Sequence, residues 1–346
     1  MRRLSWLGAA LLVPALAWAG PPDGALRRLF EGGSQSGDRL EAFRAEAPAA
    51  QEGKPVVPPD LAAARERWGN QAQLSKLQAV RPGPQERFSF AVLGDVETGR
   101  YPWSRLMAPK GAFRELMRQA HAENPDLVVQ LGDFVSHGDA KNYRKYLQVL
   151  ERLIRLPYFS VIGNHDRPQP NQDDGDKSLY RAVFGETDFF FDHGGWRFIA
   201  LDSSDRKVTP AQLDWLESAL AGAPRSMIFT HVPPRYLKGK LKSPPRKGVQ
   251  AEGINFSAYF SEGSSGFEAL VTRYRPARVY MGHIHALATA DHAGVRHVLT
   301  GGGGSPLYPL PPSYPKRRIA HFILSTAGPD GVRDSVREID GARLEL

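Results

Sequence analysis

The chain has 346 residues, of which 41% are hydrophobic and 10% aromatic, a composition typical of a folded protein with one large domain or two ordinary ones. A formal net charge of +8 favours encounter with anions such as phosphates but identifies none of them. The absence of cysteine excludes disulfides, thiolate metal sites and cysteine nucleophiles, so any metal must be held by oxygen and imidazole ligands.

The first 19 residues have the pattern of a secretory signal peptide. Two arginines precede an apolar run, and Ala17 and Ala19 form a small-residue cleavage pattern. An uncleaved membrane anchor is the alternative, but Pro14 interrupts the run and a spanning helix usually needs ~20 apolar residues. We therefore expect an exported protein, periplasmic or extracellular, with no stable membrane insertion after the signal is cleaved.

Residues 20–85 are rich in Ala, Pro, Gly and charge, and we interpret them as a linker or a loosely helical N-terminal extension that could wrap the next domain. From residue 86 to residue 346 the pattern changes to short apolar runs separated by amphipathic segments, which predicts one folded domain. The predicted strands are residues 88–93, 127–131, 158–162, 198–201, 227–229, 279–281, 297–299 and 322–324.

Amphipathic helices are predicted near residues 113–120, 146–154 and 210–220. The last of these begins with Thr209 and Pro210, which resemble an N-cap followed by a first-turn proline. Helices alternate with strands through the first half of this region, and strands dominate its end. This order predicts a layered α/β sandwich with helices outside.

Residues fit for metal binding follow five of the predicted strands. A lone Gly-Asp is usually a turn or an N-cap, and a lone His231 is more often a hydrogen-bonded, half-buried histidine. His283 and His285 are a stronger signal, because i and i+2 side chains of an extended segment point the same way. Polar strand ends meet at one sheet edge, so the segments are expected to converge: Asp95-Val96-Glu97, Gly132-Asp133, Gly163-Asn164-His165-Asp166, Thr230-His231 and Gly282-His283-Ile284-His285.

This series of motifs resembles the calcineurin-like metallophosphoesterase family over roughly residues 88–339. The Gly-Asn-His-Asp segment at residues 163–166 and the Gly-His-Ile-His segment at residues 282–285 are its most specific parts. The resemblance implies a four-layer α/β/β/α sandwich and makes residues 86–346 the catalytic domain. It also implies a dinuclear site for two divalent ions.

The resemblance further implies a role for each matching residue. Asp133 would bridge the two metals, the first held also by Asp95 and His285 and the second by Asn164, His231 and His283. His165 would lie beside the leaving group and donate a proton to it, with Asp166 behind the ring to orient it. A metal-bridging hydroxide would then attack phosphorus in line.

Glu97 is where the sequence departs from the family, which has histidine at this position. Glutamate can still ligate, but its added charge and hard oxygen shift the preference toward Mn, Mg or Fe and away from Zn. If Glu97 does not ligate, the first site is weakened. The alternative to an enzyme is therefore a degenerate, non-catalytic member of the family that binds phosphate or metal.

The expected substrate is a small-molecule phosphate ester, either a phosphomonoester or a phosphodiester. A basic, Pro- and Gly-containing insertion after His231 could steer anions or simply be solvated, and nucleic-acid binding is unlikely because Tyr236 is its only aromatic residue. Residues 301–304 are four glycines, which we interpret as a flexible turn rather than as backbone approaching the metals. The oligomeric state stays open.

Overall fold

The computed structural model describes residues 57–83, 85–96, 111–170, 172, 174–245, 258–307 and 319–346. The expected signal peptide, most of the expected linker and Glu97 lie outside the described residues. The described residues belong to one unit, Pro55–Leu346. Among them, no helix combines the length and the apolar character needed to cross a membrane.

Two six-stranded sheets form the centre of the described part of the chain. The strands are β1 (Phe88–Leu93), β2 (Leu127–Gln130), β3 (Tyr158–Ser160), β4 (Phe189–His193), β5 (Trp196–Leu201), β6 (Ser226–Thr230), β7 (Arg278–Met281), β8 (Leu287–His292), β9 (Val295–Thr300), β10 (His321–Gly328), β11 (Gly331–Glu338) and β12 (Arg343–Glu345). The first sheet has the order β12-β11-β10-β1-β2-β3 and the second the order β4-β5-β6-β7-β9-β8.

Both sheets combine parallel and antiparallel pairing, and in the first sheet the parallel strands lie at one side. In the first sheet β1, β2 and β3 run parallel, while β10 pairs antiparallel with β1. In the second sheet β5, β6, β7 and β9 run parallel, and β4 and β8 are antiparallel edge strands. The parallel order sends the carboxyl ends of β1, β2, β3, β6 and β7 to sheet edges where ligand sites usually form.

The described helices are α1 (Pro59–Ala63), α2 (Arg65–Trp68), α3 (Asn70–Val80), α4 (Ala112–Glu123), α5 (Ala140–Leu153), α6 (Ser178–Val183), α7 (Pro210–Ala221) and α8 (Ser264–Tyr274), with a short 3-10 helix, η1 (Arg235–Leu237). Helix α7 begins with a full capping box. The Thr209 hydroxyl accepts a hydrogen bond from the backbone amide of Gln212, and the Gln212 side chain accepts one from the backbone amide of Thr209. The prediction of Thr209 as N-cap and Pro210 in the first turn is confirmed.

Alternating side chains of β1 show how the layers are built. Ala91 and Leu93 pack toward the helix side, in a cluster with residues of α4, α5 and α6. Phe90 and Val92 point to the opposite face and pack between the two sheets against residues such as Phe198 of β5. Helices α7 and α8 cover the outer face of the second sheet. The four-layer α/β/β/α prediction is confirmed.

The packed unit extends further toward the N-terminus than the sequence indicates. Leu61 and Trp68 are buried in the helix-side cluster, and Leu77 is buried in the cluster between the sheets. The side chain of Gln73 accepts a hydrogen bond of 2.8 Å from the backbone amide of Tyr158 at β3. Residues 57–80, which the sequence assigns to the N-terminal extension, therefore pack onto the domain that was expected to begin at residue 86. Each of these short helices buries only one or two side chains, too few to produce a clear periodic pattern.

Candidate metal centre

The five polar segments meet where the carboxyl ends of the parallel strands converge. Backbone hydrogen bonds join their loops: the amide of Asp95 donates to the carbonyl of Gly132 at 3.1 Å, and the amide of Gly282 donates to the carbonyl of His231 at 3.0 Å. Asp95, Asp133 and His231 are buried, while His283 and His285 are half-buried. The cluster is thus sealed on the side of the strands, and these two histidines are its accessible members.

One group of possible ligands consists of Asp133, His231 and His283, whose ligand atoms all lie within 4.8 Å of one another. His231 Nε2 lies 3.2 Å from Asp133 Oδ2 and 3.2 Å from His283 Nδ1. Asn164 Oδ1 lies 3.1 Å from the same nitrogen, and the Asn164 amide donates to the Pro170 carbonyl at 3.3 Å, which turns its oxygen toward the cluster.

The second group consists of Asp95, Asp133 and His285, again with ligand atoms within 4.8 Å of one another. His285 Nε2 lies 3.4 Å from Asp95 Oδ1, although the geometry makes no hydrogen bond. His285 Nδ1 lies 3.0 Å from the Pro306 carbonyl oxygen, to which it donates. Asp133 is common to both groups. The division of the residues is the same as the one that the family resemblance implies.

The arrangement of lone pairs fits a cation. His231 Nδ1 donates to the Leu131 carbonyl at 2.6 Å, so Nε2 is the ring nitrogen that faces Asp133, Asn164 and His283, and the carboxylate and amide oxygens among these accept. One proton satisfies only some of these contacts, whereas a divalent ion attracts all of the ligand atoms. Asp95 Oδ1 is buried and accepts no hydrogen bond, which is costly without a cation. Oxygen and imidazole donors suit Mn, Fe, Mg or Zn ions.

The pKa values of the site residues also indicate that this site favours positive charge. Burial lowers the pKa of His231, but the Asp133 carboxylate more than offsets this and the pKa rises to about 9. Burial raises the pKa of Asp133, yet the surrounding histidines bring it well below its ordinary value. Burial and the neighbouring His231 lower the pKa of His283. A cation that enters the site must therefore displace a proton from His231.

Three of the possible ligands have an unusual backbone. Asp95, Asp133 and His283 have φ values of 57°, 55° and 67°, in the left-handed region that residues other than glycine rarely adopt. Such strain costs of order 1 to 3 kcal/mol and persists where the surrounding structure enforces it. Strand β7 ends at Met281, before His283. The two histidines therefore do not share a face of an extended segment, as the sequence argument assumed; each turns into a different ligand group.

His165 lies beside Asp133 with one ring nitrogen engaged. Its backbone amide donates to Asp133 Oδ1 at 2.8 Å, and its ring Nδ1 lies 3.1 Å from the Ser136 carbonyl oxygen. Nδ1 therefore carries the hydrogen, which leaves Nε2 as the nitrogen that exchanges protons. The residue is half-buried, so part of its side chain is accessible to solvent.

Asp166 has a different position from the one expected behind the His165 ring. Its carboxylate accepts four backbone hydrogen bonds, from the amides of Gly163, Asp133, Phe134 and Val135, at 2.7 to 3.2 Å. Burial and the Asp133 charge raise the pKa of Asp166, and the amide donors act in the opposite direction. Asp166 thus joins the loop after β2 to the loop after β3, and Ser136 rather than Asp166 holds the His165 ring.

Arg167 is a buried residue that the sequence analysis did not single out. Its guanidinium pairs with Asp205 and donates to the Ser204 carbonyl at 2.7 Å, and its side chain is completely buried. These contacts connect the loop after β3 to the loop after β5. An arginine directly after a metal-site motif is exposed in most settings. The local sequence therefore contains no signal for this contact.

The glycines at residues 301–304 pack tightly, which corrects the interpretation of a flexible turn. A Cβ added to Gly303 would lie 2.5 Å from the Gly94 carbonyl oxygen and 2.7 Å from a Val96 methyl group. The Gly303 amide donates to Gly94 at 2.8 Å, and the Ser305 amide donates to Asp95 at 2.9 Å. This backbone supports the loop that carries Asp95, and side chains would separate the two segments.

Known proteins share this fold and part of this sequence. A glycerophosphodiester phosphodiesterase, GpdQ, from Enterobacter lignolyticus is 29% identical over 187 residues, covering 49% of this chain and 59% of that protein. The chain thus spans less than two thirds of this curated relative. Purple acid phosphatase PPD1 from yellow lupin superposes with a TM-score of 0.55 at 18% identity, covering 77% of this chain and 54% of the phosphatase.

PhoD has the same fold, with a TM-score of 0.52 at 10% identity, and the match covers 76% of this chain and 72% of PhoD. The sequence profile of the calcineurin-like phosphoesterases matches residues 88–287, which contain all of the possible ligands. The chain belongs to the calcineurin-like phosphoesterase family.

Proposed function

We propose that this protein is a metal-dependent hydrolase of small phosphate esters. Two divalent ions would be held in one site by Asp133, with Asp95 and His285 on one side and Asn164, His231 and His283 on the other. Two groups of ligand atoms that share the Asp133 carboxylate are the observation that carries this proposal. When bound, such a pair of ions orients a phosphate, stabilises developing negative charge and acidifies water.

The residues of the chain supply position and a proton. Asp166 holds the two loops that carry Asp133 and Asn164, so the ligand atoms are arranged before substrate arrives. The Ser136 carbonyl holds the His165 ring with Nε2 available. In the protonated form, this nitrogen can give its proton to the oxygen of the departing alcohol. A protein that only bound phosphate, without cleaving an ester, would not need this proton donor.

The substrate class that we propose is broader than the one named for any single relative. The name of GpdQ specifies a phosphodiester substrate and that of the lupin enzyme specifies a phosphatase, and this chain matches only part of each. We therefore propose phosphomonoesters and phosphodiesters together. We also propose that the hydrolysis takes place outside the cytoplasm, because of the signal-peptide pattern of residues 1–19.

Hydrolysis of p-nitrophenyl phosphate and of bis-p-nitrophenyl phosphate tests the function. The protein is stripped of metal, then assayed with Mn²⁺, Fe²⁺, Mg²⁺ or Zn²⁺, and its metal content is measured in parallel. We expect metal-dependent release of p-nitrophenol. Asp133→Asn removes the shared charge at constant size, and we expect it to lower kcat/KM by about 100-fold or more and to reduce the bound metal.

Asp330→Asn is the matched control, because Asp330 is an exposed carboxylate whose one ion pair, with Arg87, is also exposed. We expect it to behave like the parent protein. Metal binding without turnover in the parent would contradict the proposal in favour of the non-catalytic alternative. Equal turnover in the parent and in Asp133→Asn would show that Asp133 takes no part in the hydrolysis.

A further inference from the structure

Gln130 is a fully buried polar residue at the carboxyl end of β2. The residues before it in this strand are apolar, as expected for a parallel strand buried on both faces, whereas glutamine is usually found at the surface. Burial of a side-chain amide costs free energy unless its donor and acceptor groups are hydrogen-bonded. Gln130 lies three residues before Asp133, which belongs to both groups of possible ligands, so its hydrogen bonds bear on the metal centre.

Both polar atoms of the Gln130 side chain bind the backbone of Gly132. Nε2 donates to the Gly132 carbonyl at 2.6 Å, and Oε1 accepts from the Gly132 amide at 2.9 Å. These two bonds close a ring around the turn that leads from β2 to Asp133. Gly132 and Asp133 have positive φ values of 91° and 55°, and the second is unusual for a residue other than glycine. The Gln130 side chain therefore holds the strained backbone at which Asp133 turns into the metal centre.

The Gly132 backbone that Gln130 holds also contacts other loops of the site. Its carbonyl accepts from the Asp95 amide at 3.1 Å in addition to the Gln130 side chain. The turn is tightly packed, because a Cβ added to Gly132 would lie 2.6 Å from the Gly163 amide nitrogen and 2.7 Å from His231 Nδ1. A change in the orientation of Gly132 would therefore move Asp95 as well as the residue that follows the glycine.

Ser160 and Val161 connect Gln130 to the end of β3. The Ser160 hydroxyl donates to Gln130 Oε1 at 3.0 Å, and the Val161 amide donates to the Gln130 carbonyl at 2.8 Å. Ser160 is itself fully buried, and its carbonyl accepts from the buried Tyr180 hydroxyl. Asn164 follows this strand end. Gln130 thus joins the loop after β2 to the segment that leads to a further possible ligand.

We propose that Gln130 is a positioning residue of the metal centre, which sets the direction of the Asp133 carboxylate so that this one residue serves both ions. This role depends on the proposed function. Gln130 acts through the two peptide groups of Gly132 rather than by ligation. Two ions that share a carboxylate lie roughly 3.5 to 4 Å apart, so a small rotation of Asp133 toward one ion would withdraw it from the other. Residues that orient ligands in this way typically change metal affinity by about 10- to 100-fold.

Gln73 provides a matched control at the opposite end of the same sheet. It is also buried, and its side chain accepts from the Tyr158 amide at 2.8 Å and donates to the Arg67 carbonyl at 2.5 Å. Tyr158 begins β3, at the end of the strand away from Asn164. Loss of either glutamine amide takes one partner from a backbone N–H and one from a backbone carbonyl. Only the partners of Gln130 adjoin a metal-site loop.

Mn²⁺ binding by Gln130→Met and Gln73→Met separates positioning from stability. Methionine has a similar length and lacks the amide, so we expect both variants to lower the urea midpoint of unfolding by comparable amounts. Calorimetry should show that the Kd of Mn²⁺ increases about 10- to 100-fold for both ions in Gln130→Met and changes by less than about twofold in Gln73→Met. Electron paramagnetic resonance should show a coupled Mn²⁺ pair in the parent and in Gln73→Met, and isolated Mn²⁺ ions in Gln130→Met.

Ser160→Ala is a milder variant that tests the same role if Gln130→Met does not fold. It removes the donor to Gln130 Oε1 and keeps both bonds between Gln130 and Gly132, so the side chain is held less firmly. We expect the Kd of Mn²⁺ to increase about threefold. Parent-like Mn²⁺ affinity in Ser160→Ala would in that case overturn the role of Gln130.

The parent protein separates failure of this role from failure of the proposed function. If the parent binds two Mn²⁺ ions without hydrolysing esters, the proposed function fails while Mn²⁺ affinity still tests Gln130. If the parent hydrolyses esters and Gln130→Met binds Mn²⁺ as tightly as Gln73→Met does, only the role of Gln130 is overturned. A parent that binds no Mn²⁺ would contradict both.

Discussion

At the scale of single residues, Asp166 determines how the possible ligands are arranged. Its two oxygens accept hydrogen bonds from four amides on two loops, and the backbone carbonyl of the same residue accepts from the Tyr143 hydroxyl at 2.8 Å. The Asp166 side chain is buried, and the residues that donate these hydrogen bonds are buried as well. Its role in the structure is therefore to hold the loops of Asp133 and Asn164 in register.

We expect Asp166→Asn to destabilise the protein by about 2 to 4 kcal/mol. The new amide group would face backbone N–H donors, so at least two buried donors would lose their acceptor. Urea unfolding, followed by tryptophan fluorescence, measures the change. The same variant should bind metal less tightly, because the Asp133 loop loses its support.

Asp330→Asn again provides the comparison, since the exposed pair of Asp330 and Arg87 should contribute less than about 1 kcal/mol. An Asp166→Asn protein as stable as Asp330→Asn would show that the four amides find other partners. A stable Asp166→Asn protein whose only defect was an altered pH profile of kcat would restore the role beside His165 that the sequence suggested.

The sequence motifs singled out the six side chains that the structure brings together at this site, with Glu97 outside the described residues, but they did not indicate this role of Asp166. Each motif combines a strand end with a metal-binding residue type, and both features are local. The partner of a carboxylate depends on which loops meet, which is a property of the tertiary structure. The contact of Arg167 with Asp205 joins residues separated by one helix and two strands, α6, β4 and β5, so the local sequence could not indicate it either.

At the scale of elements, the strands were the most predictable part of the chain. Strand β1 matches its predicted bounds, and the other predicted runs coincide with or overlap observed strands. Buried parallel strands consist almost entirely of apolar residues, as in β2, so their signal is strong. The short helices α1 to α3 bury isolated side chains such as Trp68, and one anchor in a polar segment produces no periodicity.

The glycine loop at residues 301–304 allows a test at this scale. We expect Gly303→Ala to lower stability by about 1 to 3 kcal/mol and to reduce metal-dependent hydrolysis, because the methyl group would displace the Gly94–Val96 segment beside Asp95. Thermal unfolding and the p-nitrophenyl phosphate assay measure the two effects. The size of the change is only one methyl group.

Gly294→Ala separates crowding from backbone strain. Gly294 lies in the hairpin between β8 and β9 with a φ of 76°, and an added Cβ there would meet no atom within 4 Å. We expect a modest loss of stability from the left-handed angle, with hydrolysis unaffected. If Gly303→Ala kept full activity, the loop would be more adaptable than its packing indicates.

At the scale of the whole molecule, polar side chains link the two sheets through their shared core. Asp334 of β11 accepts from Arg278 Nε at 2.5 Å and from the Tyr280 hydroxyl at 2.7 Å, both on β7 of the other sheet. The Ser325 hydroxyl donates to the same carboxylate at 2.7 Å. Apolar packing alone allows two sheets to slide, whereas a buried, hydrogen-bonded charge permits one relative position.

This position matters for the proposed function because the candidate metal centre takes residues from both sheets. Asp95 and Asp133 follow strands of the first sheet, and His231 and His283 follow strands of the second. A shift of one sheet by an ångström would separate the two halves of the site. The sequence could not reveal this link, because Arg278 and Asp334 lie far apart in a chain where charged residues are usually exposed.

We expect Asp334→Ala to destabilise the protein by about 3 to 5 kcal/mol, because it leaves the half-buried Arg278 guanidinium and the buried hydroxyls of Tyr280 and Ser325 without their acceptor. Asp291→Ala is the control, since Asp291 pairs with Arg296 at the surface and should cost less than about 1 kcal/mol. Urea unfolding compares the two variants.

The double variant Arg278→Met with Asp334→Leu should recover stability, since neither charge is then left without its partner. If it also kept metal-dependent hydrolysis, apolar packing would be sufficient to align the two halves of the site. Recovered stability with lost hydrolysis would instead show that the charged pair sets the alignment of the two sheets.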